Sequence, residues 1–95
     1  MKEIYLDYAA ATPLDPRVKR AMAPYWQKEF GNPAAIHQKG RAAKEAVTEA
    51  RRSVARIFGS RPSEIVFTAG ATEADNIAIF GAAGVLNGKK GHFIT

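Results

Sequence analysis

The segment with the clearest chemical potential is FTAGATE, residues 67–73. Its composition predicts the end of a strand, a tight turn with a glycine, and a helix capped by Thr72. Free backbone N–H groups at a helix N-terminus bind anions, and the helix dipole favours negative charge there. Gly70 and Ala71 would let a ligand approach the backbone, and the Thr72 hydroxyl would add a donor. The segment therefore suits a phosphate monoester, while an ordinary helix cap is the alternative interpretation.

Few other side chains in the sequence predict catalytic chemistry. The chain has no cysteine, which excludes a disulfide scaffold, a cysteine-based zinc site and a cysteine nucleophile within these residues. His37 and His92 lack the spacing of metal ligands, and we expect His37 to bond within its own loop. Asp15 and Asp75 are explained as helix-capping residues. We therefore predict no catalytic residue and no metal site within the chain.

The charge of the chain is concentrated in one segment. The 95 residues include 14 Lys and Arg against 9 Asp and Glu, a net charge of +5. Residues 39–61 carry seven of the basic and two of the acidic residues, which accounts for the whole excess. Basic surfaces attract nucleic acids through counterion release. Because Glu45 and Glu49 interrupt this one and no aromatic residues interleave with it, we do not expect direct binding of nucleic acid.

Hydropathy places the chain among soluble proteins. No apolar run approaches the roughly 20 residues that a membrane-spanning helix needs. The first residues lack the basic region and long apolar core of a signal peptide. We therefore predict a cytoplasmic location and no membrane partner.

The elements that would position the candidate phosphate site follow from hydrophobic periodicity and capping signals. Asp15 and Pro16 form a typical helix start, and Gly59 is a typical helix end. The predicted elements are a strand over 3–8, a helix from 16 to about 28, a loop over 30–37, a helix over 38–58, a turn at 61–63, a strand over 64–68, a helix over 73–86 with Asp75 at its third position, and a strand that starts at 92. The helix over 73–86 is apolar almost all round, so we expect it to be well buried. The helix over 38–58 has an apolar stripe formed by Ala43, Val47, Ala50, Val54 and Phe58.

The order strand, helix, strand from residue 64 predicts an α/β fold with a parallel sheet. Residues 1–60 would form an N-terminal arm of strand, loops and helices, and residues 61–95 would begin a larger domain. The chain stops within or near a predicted strand, whereas domain boundaries usually fall in polar, flexible segments. We therefore expect the chain to be the front part of a larger α/β protein.

Three blocks of the sequence resemble the opening of the class V aminotransferases. They are YLDYAAATPLDPRV over residues 5–18, FGNP over 30–33 followed by His37 and Gly40, and EIVFT with GATE over 64–73 followed by Asn76. Their shared order and spacing are more specific than any one block, and they cover almost the whole chain. The best match is with the group I cysteine desulfurases.

The resemblance implies the N-terminal part of a homodimeric enzyme with the aspartate-aminotransferase-like fold (fold type I) and pyridoxal 5'-phosphate as cofactor. In this family residues 61–95 would begin the cofactor-binding large domain. The enzyme would convert L-cysteine to L-alanine and pass the sulfur, as a persulfide, to a sulfur acceptor or an iron–sulfur scaffold protein. By the same resemblance, Gly70, Ala71 and Thr72 would hold the cofactor phosphate.

A second group of site residues is implied only by the resemblance. It places Ala10, Ala11, Thr12 and Asn32 near the active site or the dimer contact. The serine that usually follows Gly-Asn-Pro is replaced here by Ala34, which removes a hydroxyl group from that block.

Several residues that the family uses for catalysis are absent from the chain. The Schiff-base lysine, the ring-stacking histidine, the aspartate that pairs with the ring nitrogen and the sulfur-accepting cysteine have no counterpart here, so we expect these 95 residues to be inactive alone. The alternatives are another class V enzyme such as selenocysteine lyase, a truncated product that only binds a phosphate or a partner, and a small basic RNA-binding module.

Overall fold

A computed structural model describes residues 1–86, 88, 89, 91, 92 and 94. In these residues the chain forms three α-helices and one short 3-10 helix, and no β-strand. The elements are α1 (Pro16–Gln27), α2 (Gln38–Phe58), the 3-10 helix (Pro62–Glu64) and α3 (Ala71–Leu86). The chain divides into two compact units, Met1–Val54 and Ala55–Thr95. No helix in the described part is both long and apolar enough to cross a membrane.

Helix α1 begins and ends where the sequence predicts. The Asp15 side chain caps it by accepting a hydrogen bond from the backbone N–H of Arg17 at 2.7 Å. Pro16 fills the first helical position, where a missing N–H costs nothing. The Arg17 guanidinium also contacts the Asp15 carboxylate at 2.7 Å and holds the pKa of that carboxyl below its usual value. At the other end, the Lys28 N–H donates to the Pro24 carbonyl.

Helix α2 also has the predicted bounds. Gly59 follows it with φ of +62°, a left-handed conformation that glycine adopts without a steric penalty. The predicted apolar stripe of α2 is only partly buried. Ala43 is 8% exposed, whereas Phe58 at its far end is 75% exposed. Ala55, which the predicted stripe does not include, is 1% exposed.

Helix α3 differs from the prediction in its start and in its burial. It begins at Ala71, two residues before the predicted start at residue 73. The prediction that it is well buried is wrong for this chain, because Phe80 is 70% and Val85 is 85% exposed. The sequence of α3 is apolar almost all round, but the described residues do not cover these side chains.

The predicted strand over residues 3–8 is wrong. The Tyr5 hydroxyl donates to the carbonyl oxygens of Asp7 and Ala11, and the Ala10 N–H donates to the Asp7 carbonyl. These contacts close a turn over residues 8–10. A strand is held by hydrogen bonds to a neighbouring strand. Residues 3–8 instead bond locally and leave the side chains of Ile4 and Leu6 exposed.

The strand-helix-strand unit does not form among the described residues. The 3-10 helix overlaps the predicted turn at 61–63 but also includes Glu64, which was predicted to begin the strand. Ile65 continues with extended dihedrals of −90° and 124°. Residues 65–68 do not form a β-strand. The second predicted strand includes Phe93 and Thr95, which lie outside the described residues. The parallel pair therefore stays a prediction, as does the boundary between residues 60 and 61.

Candidate functional site

The predicted phosphate site lies at the first turn of α3. Gly70 takes the capping position, and its carbonyl accepts the N–H of Ala74 at 3.2 Å. Thr72 is the second residue of the helix, so the prediction that it caps the helix is wrong. Asp75 consequently lies beyond the third helical position predicted for it. Glu73 occupies that position instead.

Two side chains explain why α3 starts earlier than predicted. The Glu73 carboxylate accepts the N–H of Ala69, the residue before the capping position, at 2.7 Å. The Thr68 hydroxyl donates to the Gly70 carbonyl at 3.1 Å. Together they fix the turn before the helix, so no capping side chain is needed at Gly70.

The first turn of α3 presents donors that suit an anion. The N–H groups of Ala71, Thr72 and Glu73 belong to the first helical turn, where no intrahelical acceptor exists. The Thr72 carbonyl oxygen accepts a hydrogen bond from the Asn76 side-chain amide at 2.7 Å, and the Thr72 side chain is exposed. The Glu73 carboxylate, the nearest acid in the sequence, is engaged with the Ala69 N–H.

Gly70 has open space beside its backbone. A Cβ placed on Gly70 would meet no atom within 4 Å, and the φ of Gly70 is not in the left-handed region. The turn itself therefore does not require glycine at this position. The open space agrees with the prediction that a ligand could approach the backbone at Gly70.

The backbone donors of this turn are of the kind that suits a phosphate group. Arg61, which precedes the 3-10 helix, is paired with Glu64 at 3.1 Å, and its backbone N–H also donates to that carboxylate. No cluster of three or more His, Cys, Asp or Glu side chains that could hold a metal ion occurs in the described part of the chain.

The N-terminal candidates lie in a turn within the unit Met1–Val54. The N–H groups of Ala10 and Ala11 both approach the Asp7 carbonyl, at 3.1 and 3.4 Å. The Ala11 carbonyl accepts the Tyr5 hydroxyl at 3.2 Å, and Thr12 follows in an exposed segment. Local hydrogen bonds therefore fix the backbone of Ala10 and Ala11.

Asn32 lies in the same unit, in the loop between α1 and α2. Its side-chain oxygen accepts the N–H of Ala34 and its carbonyl accepts the N–H of Ala35, both at 2.9 Å. These two bonds close a turn in the loop that begins at Asn32.

His37 and Lys39 make contacts around this loop that the sequence did not fully predict. His37 accepts the Gly40 N–H on Nδ1 at 3.2 Å, so its bond is local, as predicted, but runs to the first turn of α2 rather than within the loop. The Lys39 ammonium donates to the Lys28 carbonyl at 2.6 Å and lies 5.0 Å from the centroid of the Phe30 ring. The Lys39 contacts were missed because a lysine next to an aromatic residue nine positions away has no local sequence signal.

Comparison with known proteins places these features in a family. The model of the aminotransferase class-V family matches residues 4–95. Cysteine desulfurase IscS of Dictyoglomus turgidum is 48% identical over 94 residues, which cover 99% of this chain and 24% of that protein. The IscS protein of Rickettsia akari is 54% identical over 93 residues, which cover 97% of this chain and 23% of that protein.

This chain is also similar in backbone structure to a solved protein. A protein described as NifS-like superimposes with a TM-score of 0.85 at 35% sequence identity, over 94% of this chain and 24% of that one. The chain therefore spans about a quarter of the length of the relatives it matches. Because the family model matches nearly the whole chain and the solved relative follows the same backbone course, the chain belongs to the aminotransferase class-V family.

Proposed function

We propose that the chain is the N-terminal portion of a cysteine desulfurase, an enzyme that converts L-cysteine to L-alanine and retains the sulfur as a persulfide. The observation that carries the proposal is the 54% identity to an IscS cysteine desulfurase across 97% of the chain. The named relatives favour this activity over selenocysteine lyase or a small RNA-binding module. The Schiff-base lysine and the acceptor cysteine would lie in the remainder of the longer protein.

Pyridoxal 5'-phosphate is the cofactor that this activity requires. When bound, it supplies the electron sink for the bonds made and broken at the cysteine substrate. The first turn of α3 fits the cofactor phosphate, because the space beside Gly70 is open and the Thr72 side chain is exposed. Ala71 and Thr72 would donate through backbone N–H groups, and the Thr72 hydroxyl would add one further bond. We propose no other contact to the cofactor from the described residues.

The family suggests further features of the longer protein. In it, residues 64–68 would join the mainly parallel sheet of an aspartate-aminotransferase-like fold, and residues 61–95 would begin the large domain. The protein would act in the cytoplasm as a homodimer and pass sulfur to an acceptor or an iron–sulfur scaffold protein. Ala10, Ala11, Thr12 and Asn32 would lie near the active site or the dimer contact.

The proposal is tested with the full-length protein loaded with pyridoxal 5'-phosphate. With L-cysteine and a thiol reductant, we expect equal amounts of L-alanine and sulfide. L-selenocysteine is the competing substrate. Absence of alanine from L-cysteine, with turnover of L-selenocysteine alone, would replace cysteine desulfurase by selenocysteine lyase. Absence of turnover with both would favour a product that only binds a phosphate or a partner.

The phosphate assignment has its own test. A hydrogen bond to a charged group contributes about 1.5–3 kcal/mol, so Thr72→Ala should weaken cofactor affinity roughly 10- to 100-fold. Thr72→Ser keeps the hydroxyl and should retain affinity. Thr48→Ala is the matched control, because the Thr48 hydroxyl bonds only to the Lys44 carbonyl of its own helix. Equal cofactor affinity in Thr72→Ala and the wild type would remove Thr72 from the site.

A further inference from the structure

The loop between α1 and α2 is held by unusually close backbone contacts. A Cβ on Gly31 would lie 2.5 Å from the Lys39 carbonyl oxygen, so the start of the loop runs directly against the first turn of α2. A Cβ on Gly40 would collide with the backbone of Ala35. The two glycines allow both approaches, and they bring the middle of the loop against the N-terminus of the helix.

His37 joins the loop to the helix at this point. Its carbonyl accepts the N–H of Arg41 at 3.0 Å, and its Nδ1 accepts the N–H of Gly40 at 3.2 Å. Gly40 is buried, and a buried backbone N–H without a partner is costly. The imidazole therefore replaces the serine, threonine or aspartate that usually caps a helix.

The contacts of His37 extend to Asn32 in two steps. Gly40, fixed by the His37 ring, packs against the backbone of Ala35. The N–H of Ala35 in turn donates to the Asn32 carbonyl, and the Asn32 side chain holds Ala34. A shift of Gly40 therefore moves the residues that define the conformation of Asn32.

We propose that His37 is a positioning residue, whose unprotonated Nδ1 holds the loop so that Asn32 stays in place for the substrate. The inference rests on the proposed function, because only that function puts Asn32 near the active site or the dimer contact, and the inference takes the first of these. His37 itself touches neither the substrate nor the cofactor in this proposal. Its effect passes through Gly40 and Ala35.

The test uses the full-length protein with His37→Ala, His37→Asn and the control Gln38→Ala. Asparagine restores a capping acceptor, whereas alanine does not. Gln38 is exposed and adjacent to His37, so its replacement leaves the cap intact. Hydrogen exchange at the amides of Ala34, Ala35 and Gly40 is measured together with the kinetics of L-cysteine turnover.

In His37→Ala we expect exchange about fivefold faster at all three amides, as the loss of one helix cap implies. We expect KM for L-cysteine to rise about three- to tenfold, with kcat within about twofold of the wild type. His37→Asn should restore both quantities. A purely local cap would accelerate exchange at Gly40 alone and leave KM unchanged, and that result would overturn the proposal.

Failure of the proposed function is distinguishable from failure of this inference. If the wild type does not convert L-cysteine, the desulfurase assignment fails. The exchange rates at Ala34 and Ala35 still decide whether His37 holds the loop. Unchanged exchange at these two amides in His37→Ala overturns the inference even in a fully active enzyme.

Discussion

Replacement of Gly40 by alanine is the sharpest test of how the chain is built around its second helix. The new Cβ would lie 2.7 Å from the carbonyl carbon and 2.8 Å from the Cβ of Ala35. Carbon atoms pack at about 3.5–4.0 Å, so the loop and the helix must separate by roughly 0.7 Å or more. The obstacle includes backbone atoms, which cannot rotate away as a flexible side chain would.

The cost of this separation has two parts. Overpacking of a close contact costs about 1–3 kcal/mol. Movement of the Gly40 N–H away from His37 Nδ1 weakens the helix cap, which contributes about 1 kcal/mol. We therefore expect Gly40→Ala to lower the free energy of unfolding by about 2–4 kcal/mol.

Urea unfolding followed by far-ultraviolet circular dichroism measures this change. Gly81→Ala is the matched control, because a Cβ on Gly81 meets no atom within 4 Å and the residue lies inside α3. Alanine there should stabilise the helix by about 1 kcal/mol. The same substitution thus has opposite effects at two positions. If Gly40→Ala were as stable as the wild type, the close approach of Ala35 and Gly40 would be refuted.

Three further perturbations test individual contacts. Asp15→Ala should shorten α1, whereas Asp15→Asn should not, and circular dichroism measures the helix content of both variants. Because Arg17 lowers the pKa of Asp15, the stabilisation by this carboxylate is present above the unfolded-state pKa and is lost as the pH falls through the folded-state pKa. An acid titration of the wild type checks this pH dependence. Glu73→Ala should cost about 1 kcal/mol and speed amide exchange at Ala69, unlike Glu73→Gln. Lys39→Met should destabilise the chain by about 0.5–1 kcal/mol in urea unfolding and Lys39→Arg should not.

The helices that the sequence predicted well have strong local signals at their ends. Asp15 with Pro16 begins α1, and Gly59 ends α2, and each acts on atoms within a few residues of itself. The start of α3 was predicted two residues too late because either Gly70 or Thr72 could cap the helix. Thr72 has the usual capping side chain, but Glu73 bonds back to Ala69 and makes a cap at Gly70 sufficient.

The predicted strand over 3–8 failed for the opposite reason, since strand stability depends on partners far away in sequence. Alternation of Ile4 and Leu6 indicates one apolar face, but it does not supply a neighbouring strand. Contacts such as Lys39 on Phe30, or the Ala35 backbone against Gly40, likewise depend on how two segments meet. Such contacts have no signature in either segment alone.

The energetics of the phosphate site limit what Gly70, Ala71 and Thr72 can contribute. A helix N-terminus stabilises an anion by about 0.3–1 kcal/mol at the surface and up to about 2 kcal/mol when partly buried. Binding with a dissociation constant of 1 μM requires about 8 kcal/mol. Even with a hydrogen bond of about 1.5–3 kcal/mol from the Thr72 hydroxyl, the first turn of α3 supplies less than that. If this turn holds the phosphate, contacts beyond these three residues must provide the remaining roughly 3–6 kcal/mol. This sets an upper limit on the Thr72→Ala experiment, because a loss far beyond 100-fold would mean that the substitution disrupts the helix start rather than one hydrogen bond.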